Sequence, residues 1–125
     1  MLRVPVLSQD QIESFHENGY VFVPGAFSPA EARLLDEWAR DLAARPEQVG
    51  SHWVYHEPSL TDDGTQLINR IEDMTPFHAG YRELAQSLRA SVGQLLGEEA
   101  VLFKDKTNFK MPGGDDFKPH QDAQA

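Results

Sequence analysis

The sequence predicts an α+β fold, with helices packed on one face of an antiparallel sheet. Two observations carry that expectation. Apolar residues recur at helical spacing in two long segments, Leu34 to Leu42 and Phe77 to Leu95, each preceded by a helix-start signal. Runs rich in β-branched and aromatic residues accumulate toward the C-terminus, the longest from Ala100 to Lys110. With 125 residues the chain has the length of one domain, and residues 1–125 are read as a single domain.

The elements follow in order. Ser8 and Gln11 have the form of a capping box, Ile12 and Phe15 give the first short helix its apolar side, and Asn18-Gly19 stops it. Tyr20-Val21-Phe22-Val23 reads as a strand, ended by Pro24-Gly25. A stronger helix start comes next. Ser28 is the cap, Pro29 takes the first helical position and Glu31 closes the box. Leu34, Leu35, Trp38 and Leu42 share that helix's apolar face, and Arg45-Pro46 ends it. Residues 46–64 are loop-like apart from a short strand at Trp53-Val54-Tyr55, and Gln66 to Ile71 form another strand. Thr75-Pro76 opens a helical region that buries Phe77, Tyr81, Leu84, Leu88, Val92 and Leu95, and Gly97 closes it.

Composition removes several function classes. The hydrophobic fraction of 40% with 25% charged residues is that of a folded globular chain. Eleven basic against 20 acidic side chains give a net charge of −9, which repels a phosphate backbone unless the few lysines cluster, so no nucleic-acid partner is expected. The absence of cysteine rules out disulfides, thiolate zinc sites and cysteine nucleophiles. No apolar run reaches the ~18 residues of a membrane span. The first seven residues turn polar too quickly for a signal peptide, so a cytoplasmic location is expected. Oligomeric state is not legible.

The chemistry-bearing stretch lies at the end. The Ala100–Lys110 run leads into a Pro112-Gly113-Gly114 turn, and His120-x-Asp122 follows. On an extended strand, residues two apart face the same way, so this imidazole and carboxylate can reach one metal ion. They amount to two-thirds of the two-His-one-carboxylate triad that holds non-haem Fe(II). Taken singly, His120 is an ordinary surface or core histidine and Asp122 a turn carboxylate. In the strand before the turn, Val101, Phe103, Asp105, Thr107 and Phe109 share one face, and Lys104, Lys106, Asn108 and Lys110 the other. Alternation alone describes a solvated polar face opposite a half-buried apolar one.

Three blocks together resemble a known family: Phe15-His16-Glu17-Asn18-Gly19-Tyr20-Val21, Asn69-Arg70-Ile71-Glu72-Asp73, and Asp105 to Asp122. The last contains Lys106-Thr107-Asn108-Phe109-Lys110, the Pro-Gly-Gly turn and Phe117-x-x-His120-x-Asp122. The pattern resembles the phytanoyl-CoA dioxygenase family over essentially the whole chain, but over only the N-terminal half of a typical member. The resemblance implies a double-stranded β-helix (a cupin-like jelly-roll barrel), to which this chain brings the N-terminal helical layer and the first strands. It implies an Fe(II)- and 2-oxoglutarate-dependent dioxygenase that hydroxylates a small-molecule substrate with dioxygen, releasing succinate and CO2. It makes His120 and Asp122 metal ligands, and Asn108 and Lys106 contacts to the 2-oxoglutarate co-substrate. The family's second histidine ligand and its carboxylate-anchoring arginine come later than Ala125, so activity is expected of the intact protein rather than of these 125 residues. A carboxylate at 122, where related halogenases have Gly or Ala, implies oxygenation. The alternatives are a non-catalytic fragment or binding module that keeps the fold's first half, and a cupin-like metal enzyme that uses no oxo acid.

Other polar residues read more modestly. His52 and His56 would suit a metal on a helix, but Pro58 and the lack of periodicity make this a loop, which puts a substrate-pocket wall ahead of a metal role. Arg70 contacts substrate or forms a structural ion pair. His16 reads as a surface residue, His78 as a capping or surface residue, and Trp38 as core.

Overall fold

A computed structural model describes residues 2–120. It contains helices α1 (Gln9–Asn18), α2 (Pro29–Ala44) and α3 (Ala79–Leu96), and strands β1 (Trp53–Pro58), β2 (Gln66–Glu72) and β3 (Lys106–Asn108). None of the described helices is long and apolar enough to cross a membrane.

Local hydrogen bonding sets the starts of the first two helices as expected. The Ser8 hydroxyl accepts from the Gln11 N–H while the Gln11 side chain accepts from the Ser8 N–H, and Gly19, at φ 79°, donates its N–H to the Phe15 carbonyl. Ser28 and Glu31 repeat the box on α2 with Pro29 behind the cap. The Glu31 carboxylate accepts from the Ser28 hydroxyl and N–H and from the Arg3 N–H, which pull its pKa down to about 2, the Ser28 hydroxyl most strongly.

The extended N-terminal segment runs parallel to α3. The Leu2 N–H donates to Glu83, the Ser91 hydroxyl to the Pro5 carbonyl (2.9 Å), and Leu7 exchanges two bonds with the Gln94 amide. Both partners cover the same distance: about 16 Å for the extended piece at ~3.3 Å per residue, and about 16 Å for the helix at ~1.5 Å. Leu2 and Leu7 are buried there.

The sheet is antiparallel in the order β1-β2-β3, with a bulge between Tyr55 and His56. Its inner face carries Val54, Ile68, Ile71 and Phe109, packed with Leu42 of α2, Tyr81 of α3 and Met74. Leu42, Ile71 and Met74 are the largest fully buried side chains. Helices therefore cover one sheet face, as the sequence predicts.

Three expectations need correction. Residues 20–23 form no strand, and Tyr20 and Phe22 are 70% and 78% exposed. β propensity forms a strand only beside a ladder partner, and among the described residues none lies there. The long strand from Ala100 to Lys110 shrinks to β3, because its first half is bonded elsewhere. The Ala100 carbonyl accepts from Arg89, and the Asp105 carboxylate takes the N–H groups of Met74 and Thr75 (2.7 and 2.8 Å) and the Thr75 hydroxyl. The third helix starts at Ala79 rather than Thr75, since Asp105 and a turn onto the Met74 carbonyl occupy residues 74–78. Phe77, ahead of the helix, is 39% exposed instead of buried, and so is Val92, which lines an open groove between α3 and residues 100–102.

His78 caps α3. Its Nδ1 accepts from the Gly80 and Tyr81 N–H groups (3.1 and 3.3 Å), so the proton sits on Nε2, 3.2 Å from Asp41. Burial, reinforced by Arg45, pushes its pKa below the ordinary histidine value of 6.5, against the opposing pull of Asp41. Below that value the unfolded chain binds more protons than the folded one. The cap's stabilisation is thus complete above pH 6.5 and is lost as pH falls through the lower folded value. Denaturant titrations from pH 7.5 to 5 should show this loss, and His78→Asn, which caps without titrating, should flatten it.

Trp38 is half-buried against the start of α3. A Cβ at Gly80 would collide with three Trp38 ring carbons, so the indole lies directly on the glycine backbone. Gly80→Ala should cost about 1–3 kcal/mol by overpacking, less up to ~1 kcal/mol regained in helix propensity. A denaturation midpoint equal to wild type would contradict this packing.

Candidate functional site

The turn before His120 is anchored to the β1–β2 hairpin. The Leu60 N–H donates to the Gly113 carbonyl (2.8 Å), and the Gly114 N–H closes back on Met111. Gly113 is required twice over. Its φ is +83°, and a Cβ would lie 2.5 Å from the Thr61 hydroxyl and 2.9 Å from that of Ser59. At Gly114 a Cβ would meet the Glu57 carboxylate at 2.6 Å. The Lys110 ammonium sits 3.9 Å over the Phe117 ring and bridges the two arms of the turn. The motif read from sequence as a turn is thus also a docking contact.

His120 is exposed, and its Nδ1 lies 2.7 Å from the Lys118 carbonyl. A carbonyl only accepts, so in the neutral ring Nδ1 carries the proton and Nε2 the lone pair. Asp122 lies outside the described residues. Among those residues, no three His, Asp or Glu side chains gather in a metal-holding group. His52 and His56 do not converge on a metal. His56, on β1, pairs with Glu47 (3.1 Å). His52 is buried, with Nδ1 on the Ser51 hydroxyl and Nε2 unpartnered among the described residues.

Lys106 and Asn108 come together on the outer face of the sheet, opposite the helices. Cross-strand register places Arg70 beside Asn108, Glu72 beside Lys106 and Tyr55 beside Arg70. Arg70 does form the ion pair weighed for it, Nε to Glu72 at 2.7 Å, and it also stacks 3.9 Å over the Tyr55 ring. Glu72 is 5% exposed and takes a second cation, Lys104, at 3.2 Å. Burial alone would raise the Glu72 pKa, but the hydrogen bonds from Arg70 and then Lys104 outweigh it and hold the carboxyl below its ordinary range. Sequence reading missed Glu72. The spacing Arg70-x-Glu72 on a strand was the available signal, because residues two apart share a face. All four lysines of this acidic chain fall at positions 104, 106, 110 and 118, on the segment that forms β3 and the turn.

A groove of about 370 Å³ lies between α3 and residues 100–102, with Leu88, Val92, Val101 and Leu102 in its wall; no outer-face residue lines it.

Comparison with known families decides the class, since the description "Phytanoyl-CoA dioxygenase" matches residues 15–125. The chain belongs to the phytanoyl-CoA dioxygenase family. The chain is similar to a 2-aminoethylphosphonate dioxygenase from uncultured bacterium HF130_AEPn_1, 37% identical over 94% of this chain and 45% of the relative. A methylphosphonate hydroxylase from Gimesia maris is 36% identical over 95% and 45%, and an ectoine dioxygenase from Sphingopyxis alaskensis 29% over 94% and 38%. The chain spans about half the length of the curated relatives it matches. No solved structure matches it. The α+β arrangement of three helices and a small antiparallel sheet is consistent with phytanoyl-CoA dioxygenase family membership.

Proposed function

We propose that the intact protein is an Fe(II)- and 2-oxoglutarate-dependent dioxygenase that hydroxylates a small molecule with dioxygen, releasing succinate and CO2. The described sheet supplies the first strands of a double-stranded β-helix, and residues 1–125 act as one unit of it. The observation that carries the reading is the family match, which extends to residue 125 and so takes in both His120 and Asp122. These two residues would hold the metal. The bond of His120 Nδ1 to the Lys118 carbonyl supports this fit, because metal-binding imidazoles hold their second nitrogen in this way. When bound, iron supplies the oxidative chemistry, coupling dioxygen reduction to decarboxylation of the oxo acid.

The protein's share is binding and orientation. The Lys106 ammonium offsets the charge of the dicarboxylate as water is excluded, and the Asn108 amide donates a hydrogen bond to it. A carboxylate at position 122 selects oxygenation over halogen transfer. Two relatives are named for phosphonates, so small phosphonates are the first substrates to assay. The cysteine-free composition suits the cytoplasm.

The test is oxygen-dependent succinate formation by the intact protein, with and without Fe(II). Metal-dependent succinate supports the proposal. No succinate with Fe(II) supplied would overturn it in favour of a binding module, and turnover without 2-oxoglutarate would favour a metal enzyme that needs no oxo acid.

A further inference from the structure

We infer that Arg70 reads an oxyanion, a carboxylate or phosphonate, on the primary substrate, using the edge of its guanidinium that the described residues leave unbonded. The inference deepens the proposed oxygenase reading and rests on it for what the ligand is, though not for whether an anion binds.

The guanidinium is held on three sides. Nε donates to Glu72 (2.7 Å), Nη1 donates to the Asn69 side-chain oxygen (3.2 Å), and one face lies 3.9 Å from the Tyr55 ring. Nη2 donates to no protein group among the described residues. A guanidinium offers five N–H donors in a planar fork. Two are committed here, and the group is immobilised before any ligand arrives, which reduces the ordering cost of binding. Neutralising Glu72 does not by itself account for Arg70, because Lys104 already pairs with the same carboxylate at 3.2 Å.

The surroundings favour an anion. Cross-strand register sets the Asn108 amide beside Arg70, and Lys106 lies one pair further along the same face. Arg70 and Lys104 both pair with Glu72, Lys106 stands opposite Glu72 in the strand register, and Glu57 is tied to the Asn69 amide at 3.0 Å. Three of the 11 basic side chains of a chain of net charge −9 therefore gather here, although Asp73 and Asp105 also border Glu72 and Lys104. The Arg70 side chain is 32% exposed, so it is partly shielded from water and still partly reachable. Partial desolvation strengthens a charge-assisted bond.

The experiment is an NMR titration of the metal-free intact protein with methylphosphonate and, separately, with acetate. Removing Arg70 alone would leave the buried Glu72 carboxylate with Lys104 as its remaining cation among the described residues, so R70Q/E72Q is compared with E72Q. Saturable binding is expected for wild type and E72Q, with the tighter of the two probes identifying the oxyanion. R70Q/E72Q should bind at least about tenfold more weakly than E72Q, as expected for loss of one charge-assisted fork. R40Q, an exposed arginine on α2 paired with Asp36, should bind like wild type. Equal affinities in R70Q/E72Q and E72Q would overturn the inference, as would failure of wild type to bind either probe saturably. Succinate formation by wild type decides the oxygenase reading separately, because the titration needs no metal.

Discussion

His120→Ala is expected to weaken Fe(II) binding by the intact protein at least about 100-fold and to leave its folding unchanged. Loss of groups that merely orient a ligand costs 10–100-fold, so loss of a ligand itself should exceed that range. The ring is exposed, so its removal opens no cavity and should change stability by no more than about 0.5 kcal/mol. Anaerobic Fe(II) titration of wild type and variant measures the first effect, and thermal unfolding without metal the second. Equal affinities would remove His120 from the site. Weakened binding together with a lowered melting temperature would mean that the histidine acts through the fold instead.

Leu42→Ala is expected to destabilise the protein by about 2–5 kcal/mol. Leu42 is fully buried and joins α2 to Ile71 of the sheet and to Met74. Few side chains of the described residues are buried so completely, so truncation leaves a void that neighbours pinned by the sheet ladder refill poorly. Urea titration should show a lower midpoint at unchanged slope. A cost under 1 kcal/mol would mean that the helical layer is held to the sheet elsewhere.

The accuracy of the sequence reading follows the range of the interactions involved. Both capping boxes and the stops at Gly19 and Gly97 formed as read, because each partner lies within four residues of the other. The Pro-Gly-Gly turn was legible for the same reason. Its docking onto Ser59, Leu60 and Thr61 was not, because that contact spans about fifty residues. Tyr20 to Val23 and the first half of the Ala100 run have strand composition but no strand partner, and Asp105 is spent on residues 74 and 75 instead of the ladder. Alternation correctly divided Lys106 and Asn108 from Thr107 and Phe109, because the pleat is a local property of the backbone.

By itself, then, the amino-acid order determined where the first two helices begin and where all three end, the acidic charge, and a histidine and an aspartate two residues apart, all read without reference to the fold. Tertiary structure alone decided which extended segments pair, that Gly80 receives the Trp38 ring, and that Arg70 is braced beside Asn108. Strand pairing and burial depend on residues far apart in sequence meeting in space, and no local preference encodes that meeting.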